Sequence, residues 1–449
     1  MNSEFDIVIL GLSVTSSWGN GHATTYRSLI RGLAARGHRV LFLERDTPWY
    51  AGNRDEPNPR GARTEIYDSV EELTTRFERE VAGADLVIVG SFVPEGTRVG
   101  EWVTSLAKKT TAFYDIDTPV TLAQLAEGRR EYVTPDLIAR YHMYLSFTGG
   151  PVLRRIENEY GAPMARALYC SVDTELYRPE PRPPRWDLGY LGTYSDDRQP
   201  ALQSLMLDPA RHWSQGRFAV VGPMYPPEIR WPANVKREIH LSPRDHPAFY
   251  GSQRFTLNIT RQAMKQAGYS PSVRLFEAGA CAAPVISDWW EGLDSLFVIG
   301  KELLISSDAE DTLRILKDTP DHQRQALGEA ARRRILAEHT PQQRAAQLEN
   351  YLKEANDNIS SHQARRDRRS GQADHGVAER VAPQPTREAT GRQTGADAGT
   401  AADSRSLYQP SGAGAGNGGA DRTTARPRCT APRRTGRDAA GGVGRKGPR

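Results

Sequence analysis

Residues 268–288, GYSPSVRLFEAGACAAPVISD, place one cation and one carboxylate on the same face of a predicted helix. We predict that Ser270 is the N-cap of this helix and that Pro271 occupies its first position. A helix N-terminus behind a polar loop binds anions, and Arg274 adds positive charge there. Glu277, about two turns into the helix, could accept hydrogen bonds from both hydroxyls of a ribose. The alternative is a solvated ion pair of Arg274 with Glu277, which would stabilise the protein little.

Three further cations follow predicted strands in the second half of the chain, where a phosphate could bind. Arg198 comes after the turn LGTYSDD, and its guanidinium could hold a phosphate by two contacts. Its acidic neighbours Asp196 and Asp197 offer a surface ion pair as the alternative. Arg261 and Lys265 lie at helical spacing after the strand RFTLNI, and they are the other phosphate candidates.

The segment GLSVTSSWGNGH, residues 11–22, joins the first predicted strand to the first predicted helix. Gly19 and Gly21 would allow the backbone to approach a ligand closely. No Gly-Lys-Ser/Thr sequence ends the segment, and its spacing is not G-x-G-x-x-G. It therefore indicates neither a P-loop nor a dinucleotide fingerprint. His22 is a candidate ligand contact, with capping of the following helix as the alternative.

Two carboxylates end the predicted strand TTAFYDID, at the carboxyl edge where α/β sheets bind ligands. At a spacing of two, Asp115 and Asp117 would point the same way on an extended strand. Their repulsion would raise one pKa and favour acid–base catalysis, with Asp117 as the preferred candidate. The alternative is that Asp117 caps the turn before Pro119.

The elements that would position these residues are predicted by a pattern of alternating strands and helices that runs through the chain twice. The first series contains FDIVILGL, VLFLE, DLVIVGS, TTAFYDID and YLSF; the second contains WDLGYLGTY, FAVVGP, RFTLNI, APVISD and ELLISS. The first helix, TTYRSLIRGLAARG, is predicted to end at Gly37. Strands alternating with helices predict parallel βαβ units in doubly wound sheets. The predicted fold class is therefore α/β, with two Rossmann-like domains facing each other across a cleft.

The domains are predicted at residues 1–180 and 181–340, because YRPEPRPPRW at 177–186 places four prolines in ten residues and forms a stiff linker. The sequence of residues 341–356 predicts a last helix. Residues 357–449 are rich in Gly, Ala, Arg, Thr and Pro, cannot bury a core, and are predicted to be disordered. The alternatives for this tail are a basic arm that binds phosphate and an out-of-frame translation of GC-rich DNA.

Charge and composition exclude several classes of protein. The tail holds 17 Lys and Arg against 9 Asp and Glu, a net charge of +8, so the net charge of +4 for the whole chain leaves −4 for the first 356 residues. These residues show no charge signature of nucleic-acid binding. No apolar run reaches the length of a membrane span, and the acidic start MNSEFDIVILGL is unlike a signal peptide. Three widely spaced cysteines form no disulfide or metal pattern, so we expect a cytoplasmic protein.

Six segments resemble one known family in their order and spacing. They are WGNGHATTYRSLIRGLAARGHRVLFLERD, FYDIDTPVTL, CSVDTELYRP, LGYLGTYSDDR, LNITRQAM and the segment 268–288. Together they span about residues 5–355. The chain resembles the group 1 glycosyltransferases, which are retaining GT-B enzymes. It resembles their CgeB-like branch, named after a spore maturation protein, more closely.

The resemblance implies transfer of a sugar from a nucleotide-sugar donor to an acceptor, with retention of anomeric configuration. It implies that the second domain binds the donor through Glu277 and nearby basic residues, and that the first domain supplies the acceptor side with Asp117 and His22. The helix at 341–356 would cross back to the first domain. Many family members carry a second Glu eight residues before the ribose-binding Glu, where this chain has Tyr269. Our donor-binding candidates are Gly19, Gly21, Arg198, Arg261, Lys265, Tyr269, Ser270, Arg274 and Glu277.

The resemblance also sets expectations for cofactors and partners. We expect no cofactor and no essential metal, because the nucleotide sugar is a substrate. The acceptor is left open among glycans, lipids and proteins, as is peripheral contact with a membrane; no nucleic acid is expected for the folded part. Two other functions are retained: a nucleotide-sugar epimerase or hydrolase of the same architecture, and a non-catalytic carbohydrate-binding or surface-assembly protein. Product analysis would separate the first from a transferase, and nucleotide-sugar binding without turnover would identify the second.

Overall fold

A computed structural model describes residues 4–374 of the chain. The first sheet contains β1 (Asp6–Gly11), β2 (Arg39–Arg45), β3 (Arg63–Tyr67), β4 (Leu86–Gly90), β5 (Thr110–Asp115), β6 (Met143–Ser146) and β7 (Ala165–Ala167). Its strand order is β3-β2-β1-β4-β5-β6-β7, and every pair is parallel. The second sheet contains β8 (Trp186–Leu191), β9 (Phe218–Val221), β10 (Val235–Glu238), β11 (Gln253–Asn258), β12 (Val285–Ser287) and β13 (Leu304–Ile305). It is also parallel, in the order β10-β9-β8-β11-β12-β13.

Helices connect most successive strands of the two sheets, whereas a loop connects β9 to β10. Those that accompany the first sheet are α1 (Gly21–Ala35), α2 (Pro48–Ala51), α3 (Val70–Arg76), α4 (Glu78–Gly83), α5 (Gly96–Leu106), α6 (Thr118–Ala126), α7 (Pro135–Arg140) and α8 (Pro151–Tyr160). Those that accompany or follow the second are α9 (Gln199–Leu202), α10 (Asp208–His212), α11 (His246–Gly251), α12 (Gln262–Ala267), α13 (Val273–Ala280), α14 (Ala309–Asp318), α15 (Asp321–Glu338) and α16 (Pro341–Asp374). As predicted, Gly37 follows the end of α1, with a φ of +90° that favours glycine.

The strand order fixes where ligands can bind. In each sheet the chain moves outward in one direction and then returns to the centre to continue on the other side, so the order reverses between β1 and β4 and between β8 and β11. At such a reversal the loops leave the carboxyl ends of neighbouring strands in opposite directions and open a crevice. The loops that follow these four strands carry most of the candidate residues named above.

The predicted strand series is present in the structure, and three further strands join it. β3 and β10 lie at sheet edges and β7 has only three residues. Their sequences RTEIY, VKRE and ARA contain charged residues and little apolar alternation. Edge strands can expose such side chains, so hydrophobic periodicity does not reveal them.

The last helix of the described residues packs against the first domain. α16 contacts α1 so closely that a Cβ on Gly32 would lie 2.1 Å from the Pro341 carbonyl oxygen. Ala345, Leu348 and Leu352 of α16 are buried in the same apolar core as strands of the first sheet and helix α13. α16 therefore joins the two halves of the chain.

Three predictions about local structure need correction. α13 begins at Val273 with Ser272 as its N-cap residue, so Ser270 is not the cap and Pro271 precedes the helix. α16 continues to Asp374, so residues 357–374 of the predicted disordered tail are helical. The rest of that tail, residues 375–449, lies outside the described residues. Among the helices of residues 4–374, none is long and apolar enough to cross a bilayer.

The ion pairs between α16 and the first domain predict a pH-dependent stability. Glu349 is buried, and its carboxylate accepts hydrogen bonds from Arg36 and from His38 Nε2 at 2.7 Å. The bond from Arg36 is the main cause that lowers the pKa of Glu349 from 4.5 to about 2. We expect Glu349→Gln to lower the free energy of unfolding at pH 7 by roughly 1.5–3 kcal/mol, the range for hydrogen bonds to charged groups.

The sign of the pH dependence follows from the direction of this pKa shift. A carboxyl whose pKa is lower in the folded protein stabilises it above the unfolded pKa of 4.5, and this contribution is lost as the pH falls through about 2. Urea unfolding at pH 7 and at pH 3 should therefore show a smaller difference between parent and variant at the lower pH. The exposed residue Glu310 on α14 offers Glu310→Gln as the matched control. An equal difference at both pH values would contradict the assignment.

Candidate active site

Two neighbouring cavities open where the carboxyl edges of the two sheets face each other. Cavity 1, of about 410 Å³, is lined by the loops after β1, β8, β9 and β10 and by α13. Cavity 2, of about 460 Å³, is lined by the loops after β1, β4, β5 and β11. Six residues line both cavities and join them into one cleft: Gly19, Asn20, Gly21, Arg198, Ser272 and Val273. The cleft lies at the position that the strand order predicts for a ligand.

Helix α13 places its cation and its carboxylate in cavity 1. Arg274 and Glu277 are 9% and 6% exposed, which rules out a solvated surface pair. Arg274 donates to Leu191 O and, at 3.0 Å, to Asn258 Oδ1, so it is held against the ends of β8 and β11. Glu277 Oε2 accepts a hydrogen bond of 3.3 Å from Tyr250 Oη, and the residue lines cavity 1. A buried carboxylate with remaining acceptor capacity suits a ligand with hydroxyl groups.

Arg198 lines both cavities and lies near the N-terminus of α13. Its guanidinium donates to Thr193 O at 2.8 Å and to Ser195 Oγ at 3.0 Å, not to the neighbouring acids. Burial lowers the pKa of Arg198, which means that its charge is poorly solvated. An anionic ligand would offset that cost. Arg261 lines cavity 2, is about half exposed, and lies 3.7 Å from Asp197.

The glycine-containing loop after β1 is held in place by hydrogen bonds to a buried carboxylate. Glu44, at the end of β2, accepts hydrogen bonds from Ser13 Oγ, Val14 N, Thr15 N and Thr15 Oγ1 at 2.6–3.0 Å. Gly19 has a φ of +60°, and a Cβ on Gly19 or Gly21 would meet no atom within 4 Å. The loop therefore presents bare backbone to both cavities, as the sequence analysis predicts for close approach of a ligand.

His22 and Asp117 meet in cavity 2. His22 Nε2 lies 2.6 Å from Asp117 Oδ2, and the side chain of Asp117 is 33% exposed while that of His22 is 10% exposed. Asn20, not His22, caps α1, because Asn20 Oδ1 accepts from His22 N at 3.0 Å. Burial alone would raise the pKa of Asp117, but the charge and hydrogen bond of His22 lower it below its ordinary value. Asp117 is thus a carboxylate that faces the cleft, with its orientation set by His22.

Asp115 does not share this site. The backbone turns after β5, so Asp115 points into the domain and is fully buried, contrary to the expectation that both acids face the same way. Thr121 Oγ1 and Tyr144 Oη donate to its carboxylate. Burial raises the pKa of Asp115 to about 6, with the charge of Asp117 as a smaller cause. Asp115 supports the turn through a hydrogen bond of 3.3 Å from Asp117 N.

Two candidates for donor binding lie outside the cleft, and a third has a different role from the one predicted. Lys265 Nζ lies 3.3 Å from Asp288 Oδ2 and lines neither cavity. Tyr269 has a φ of +47°, which turns its ring between Gly150 and Gly292 and away from the cleft. Ser270 lines cavity 2, and its Oγ accepts from Thr148 Oγ1 at 2.9 Å, a contact between the two halves of the chain.

Sequence reasoning missed several residues that line the cleft. His246 in cavity 1 lies 3.9 Å from Glu277 and 3.2 Å from Tyr177 Oη, and burial lowers its pKa. The rings of Trp18 and His240 lie 4.9 Å apart and bring the two halves together at the edge of cavity 1. The two histidines follow the charged edge strand β10, which periodicity did not reveal. Phe92, in cavity 2, lies two residues after the end of β4, so its place after a predicted strand was an available signal.

Comparisons with known proteins agree with this architecture. The family model described as glycosyl transferase-like matches residues 198–350, which contain α13 and Arg198. No curated protein matches the sequence. Sucrose-phosphate synthase from Thermosynechococcus elongatus superposes with a TM-score of 0.55 at 16% identity, covering 78% of this chain and 98% of its own.

Two further solved structures are similar over the same share of the chain. HepE from Anabaena in complex with UDP-glucose has a TM-score of 0.55 at 13% identity, covering 78% of this chain and 100% of its own. An α-glucosyltransferase in complex with UDP-glucose and DNA has a TM-score of 0.59 at 11% identity, with the same coverage. The chain has the GT-B fold. The predicted fold class is thus confirmed, and the family match agrees with the predicted glycosyltransferase.

Proposed function

We propose that this GT-B protein transfers a sugar from a nucleotide-sugar donor to an acceptor, with retention of anomeric configuration. The observation that carries the proposal is one continuous cleft with a different carboxylate in each part. Glu277 is buried in cavity 1 on the second half of the chain, and Asp117 faces cavity 2 on the first half. Arg198, which lines both cavities, lies where a diphosphate would join a nucleoside to a sugar.

The donor occupies cavity 1 in this proposal. Glu277 accepts hydrogen bonds from the ribose hydroxyls, and Arg274 and Arg198 lie near the diphosphate. The N-terminus of α13 adds backbone N–H groups and a partial positive charge. The similar structures of HepE and the α-glucosyltransferase contain UDP or UDP-glucose, so a uridine diphosphate sugar is the first donor to test.

The acceptor hydroxyl approaches through cavity 2. The bond between the anomeric carbon and the diphosphate oxygen breaks, and its electron pair leaves with the diphosphate beside Arg198. A bond forms between the anomeric carbon and the acceptor oxygen on the same face from which the diphosphate leaves, so the configuration is retained, and the acceptor proton passes to Asp117. His22 acts as a positioning residue, because its Nε2 holds Asp117 Oδ2 at 2.6 Å. Positioning and stabilisation of the leaving charge provide most of the rate.

The reaction needs no essential metal in this proposal, since cations of the protein face the leaving diphosphate. We also propose a cytoplasmic location and membership of the CgeB-like branch of group 1 glycosyltransferases. The configuration of the product tests retention, and activity in the presence of EDTA tests the independence from metal.

The test is donor turnover by the full-length protein. Incubation with UDP-glucose and a mixture of glycan, lipid, peptide and phenol acceptors should give UDP and a glycoside, with or without EDTA. Arg198→Ala should lower turnover about 10²–10³-fold, the effect of losing one donor to a developing charge, while uridine itself binds as before. Arg314→Ala on the exposed face of α14 is the control, and it should leave turnover unchanged.

The products decide between the proposed function and its alternatives. Free glucose without a glycoside would indicate a hydrolase, and an altered nucleotide sugar would indicate an epimerase. Binding of UDP without any turnover would support a non-catalytic carbohydrate-binding or surface-assembly protein. If no nucleoside diphosphate raises the melting temperature, the proposal is wrong, because a ligand at a hundred times its Kd should add about 2.7 kcal/mol of stability.

A further inference from the structure

Both sides of cavity 2 contain apolar side chains, but its two arginines lie on one side. The side formed by the second half of the chain carries Arg198 and Arg261, together with Ser270, Ser272, Ile259, Ala263, Met264, Pro271 and Val273. The opposite side contains an apolar wall formed by Leu12, Phe92, Ile116, Pro119, Val120 and Phe147. If the donor diphosphate lies against the arginines, the acceptor lies against the apolar wall.

The first half of the chain offers few hydrogen-bonding side chains to such an acceptor. Asn20 uses its amide within its own loop, with Oδ1 accepting from His22 N and Nδ2 donating to Ser16 O. Among the described residues that line this side, the side chains left to contact a hydroxyl are Asp117, with His22 behind it, and Tyr50. A sugar acceptor presents several hydroxyls, and each one buried without a hydrogen-bond partner lowers the affinity.

The backbone at Phe92 indicates that this wall has a function. Phe92 has a φ of +60°, an uncommon conformation for a bulky residue that costs free energy. Its ring lines cavity 2, with the ring centroid 4.7 Å from that of Tyr132 and 6.0 Å from that of His22. Strain of this kind clusters at binding sites, where the surrounding structure maintains it.

We propose that the acceptor is a small, largely apolar alcohol or phenol, which packs on the apolar wall and presents its hydroxyl to Asp117. This inference rests on the proposed function and gives the acceptor its chemical class. The volume of cavity 2, about 460 Å³, lies in the range of pockets that bind compact organic molecules. A glycan acceptor is the competing outcome of the test.

The test compares two probes on the full-length protein by calorimetry, with and without saturating UDP. 2-Naphthol represents a compact phenol, and methyl α-D-glucoside represents a sugar acceptor. We expect 2-naphthol to bind with a Kd at least ten-fold lower than that of the glucoside. Equal affinities, or tighter binding of the glucoside, would overturn the inference.

Two variants test whether the apolar wall is the binding surface. Phe92→Ala should weaken binding of 2-naphthol about ten-fold, and the milder change Val120→Ser about three-fold. Val298→Ser is the matched control, since Val298 is exposed and lines neither cavity. Unchanged affinity for 2-naphthol in both wall variants would also overturn the inference.

The affinity for UDP separates this inference from the proposed function. It should stay the same in every variant, because the nucleotide occupies cavity 1. If UDP binds and the glucoside is preferred, the proposed function stands and the acceptor class is wrong. If UDP does not bind at all, the proposed function fails. The measurements made without nucleotide still show whether the apolar wall binds 2-naphthol more tightly than the glucoside.

Discussion

Asp117→Asn is expected to lower the rate of sugar transfer about 10²–10⁴-fold, the range for loss of a positioned general base. The carboxylate faces cavity 2 and is oriented by His22 at 2.6 Å, whereas an amide cannot accept the acceptor proton. The affinity for UDP should be nearly unchanged, because Asp117 does not line cavity 1. Transfer rates and calorimetric titration with UDP on the same preparation check both statements.

The control for this variant is Asp136→Asn, an exposed aspartate in the first turn of α7 that lines neither cavity. It should transfer sugar at the parent rate. If Asp117→Asn abolishes UDP binding while the protein stays folded, the assignment of donor and acceptor to different cavities is wrong. If it transfers at the parent rate, Asp117 has no part in the chemistry.

Glu277→Gln should weaken binding of UDP by about 1.5–3 kcal/mol, because one ribose hydroxyl loses its charged acceptor. That loss corresponds to roughly a ten- to two-hundred-fold increase in Kd. The shape of the side chain is conserved and its Tyr250 partner remains, so we expect the fold to be retained. Calorimetry with UDP measures the effect, and the melting temperature without ligand checks the fold.

A comparison of ligands makes this second prediction specific. UDP and 2′,3′-dideoxy-UDP should differ in affinity for the parent protein and differ much less for Glu277→Gln, because the analogue lacks both hydroxyls. Glu310→Gln, already the stability control, should bind UDP like the parent. If Glu277→Gln binds UDP unchanged, the carboxylate does not contact the ribose and the central inference from α13 is lost.

The sequence pattern predicted the main strands and the fold class because buried parallel strands are nearly continuous apolar runs. FDIVILGL and TTAFYDID became β1 and β5, and WDLGYLGTY and RFTLNI became β8 and β11. Asp117 was predicted to lie near a ligand because it ends a strand at the carboxyl edge of a sheet, whereas the position of His22 at the cleft was implied by the family resemblance. The edge strands β3 and β10 escaped prediction because their exposed charged side chains break the pattern.

The roles of single side chains were predicted less well than the elements. Asp115 and Asp117 are two residues apart, yet Asp115 is buried inside the domain and Asp117 faces the cleft. The reason is that β5 ends at Asp115, so the backbone turns between them. Tyr269 stands next to Ser270 in sequence, but a positive φ turns its ring between two glycines. Local spacing predicts orientation only where the backbone stays regular.

By itself the sequence determined the alternation of strands and helices, the doubly wound fold and the chemical character of α13, because these depend on local propensity and periodicity. Only the tertiary structure decided that Glu277 is buried against Tyr250, that Lys265 is bound to Asp288 and that Glu44 holds the glycine-containing loop. It also brought His22 within 2.6 Å of Asp117, 95 residues away. The physical reason is that burial and pairing depend on contacts between distant segments, which exist only after the two sheets and α16 have packed together.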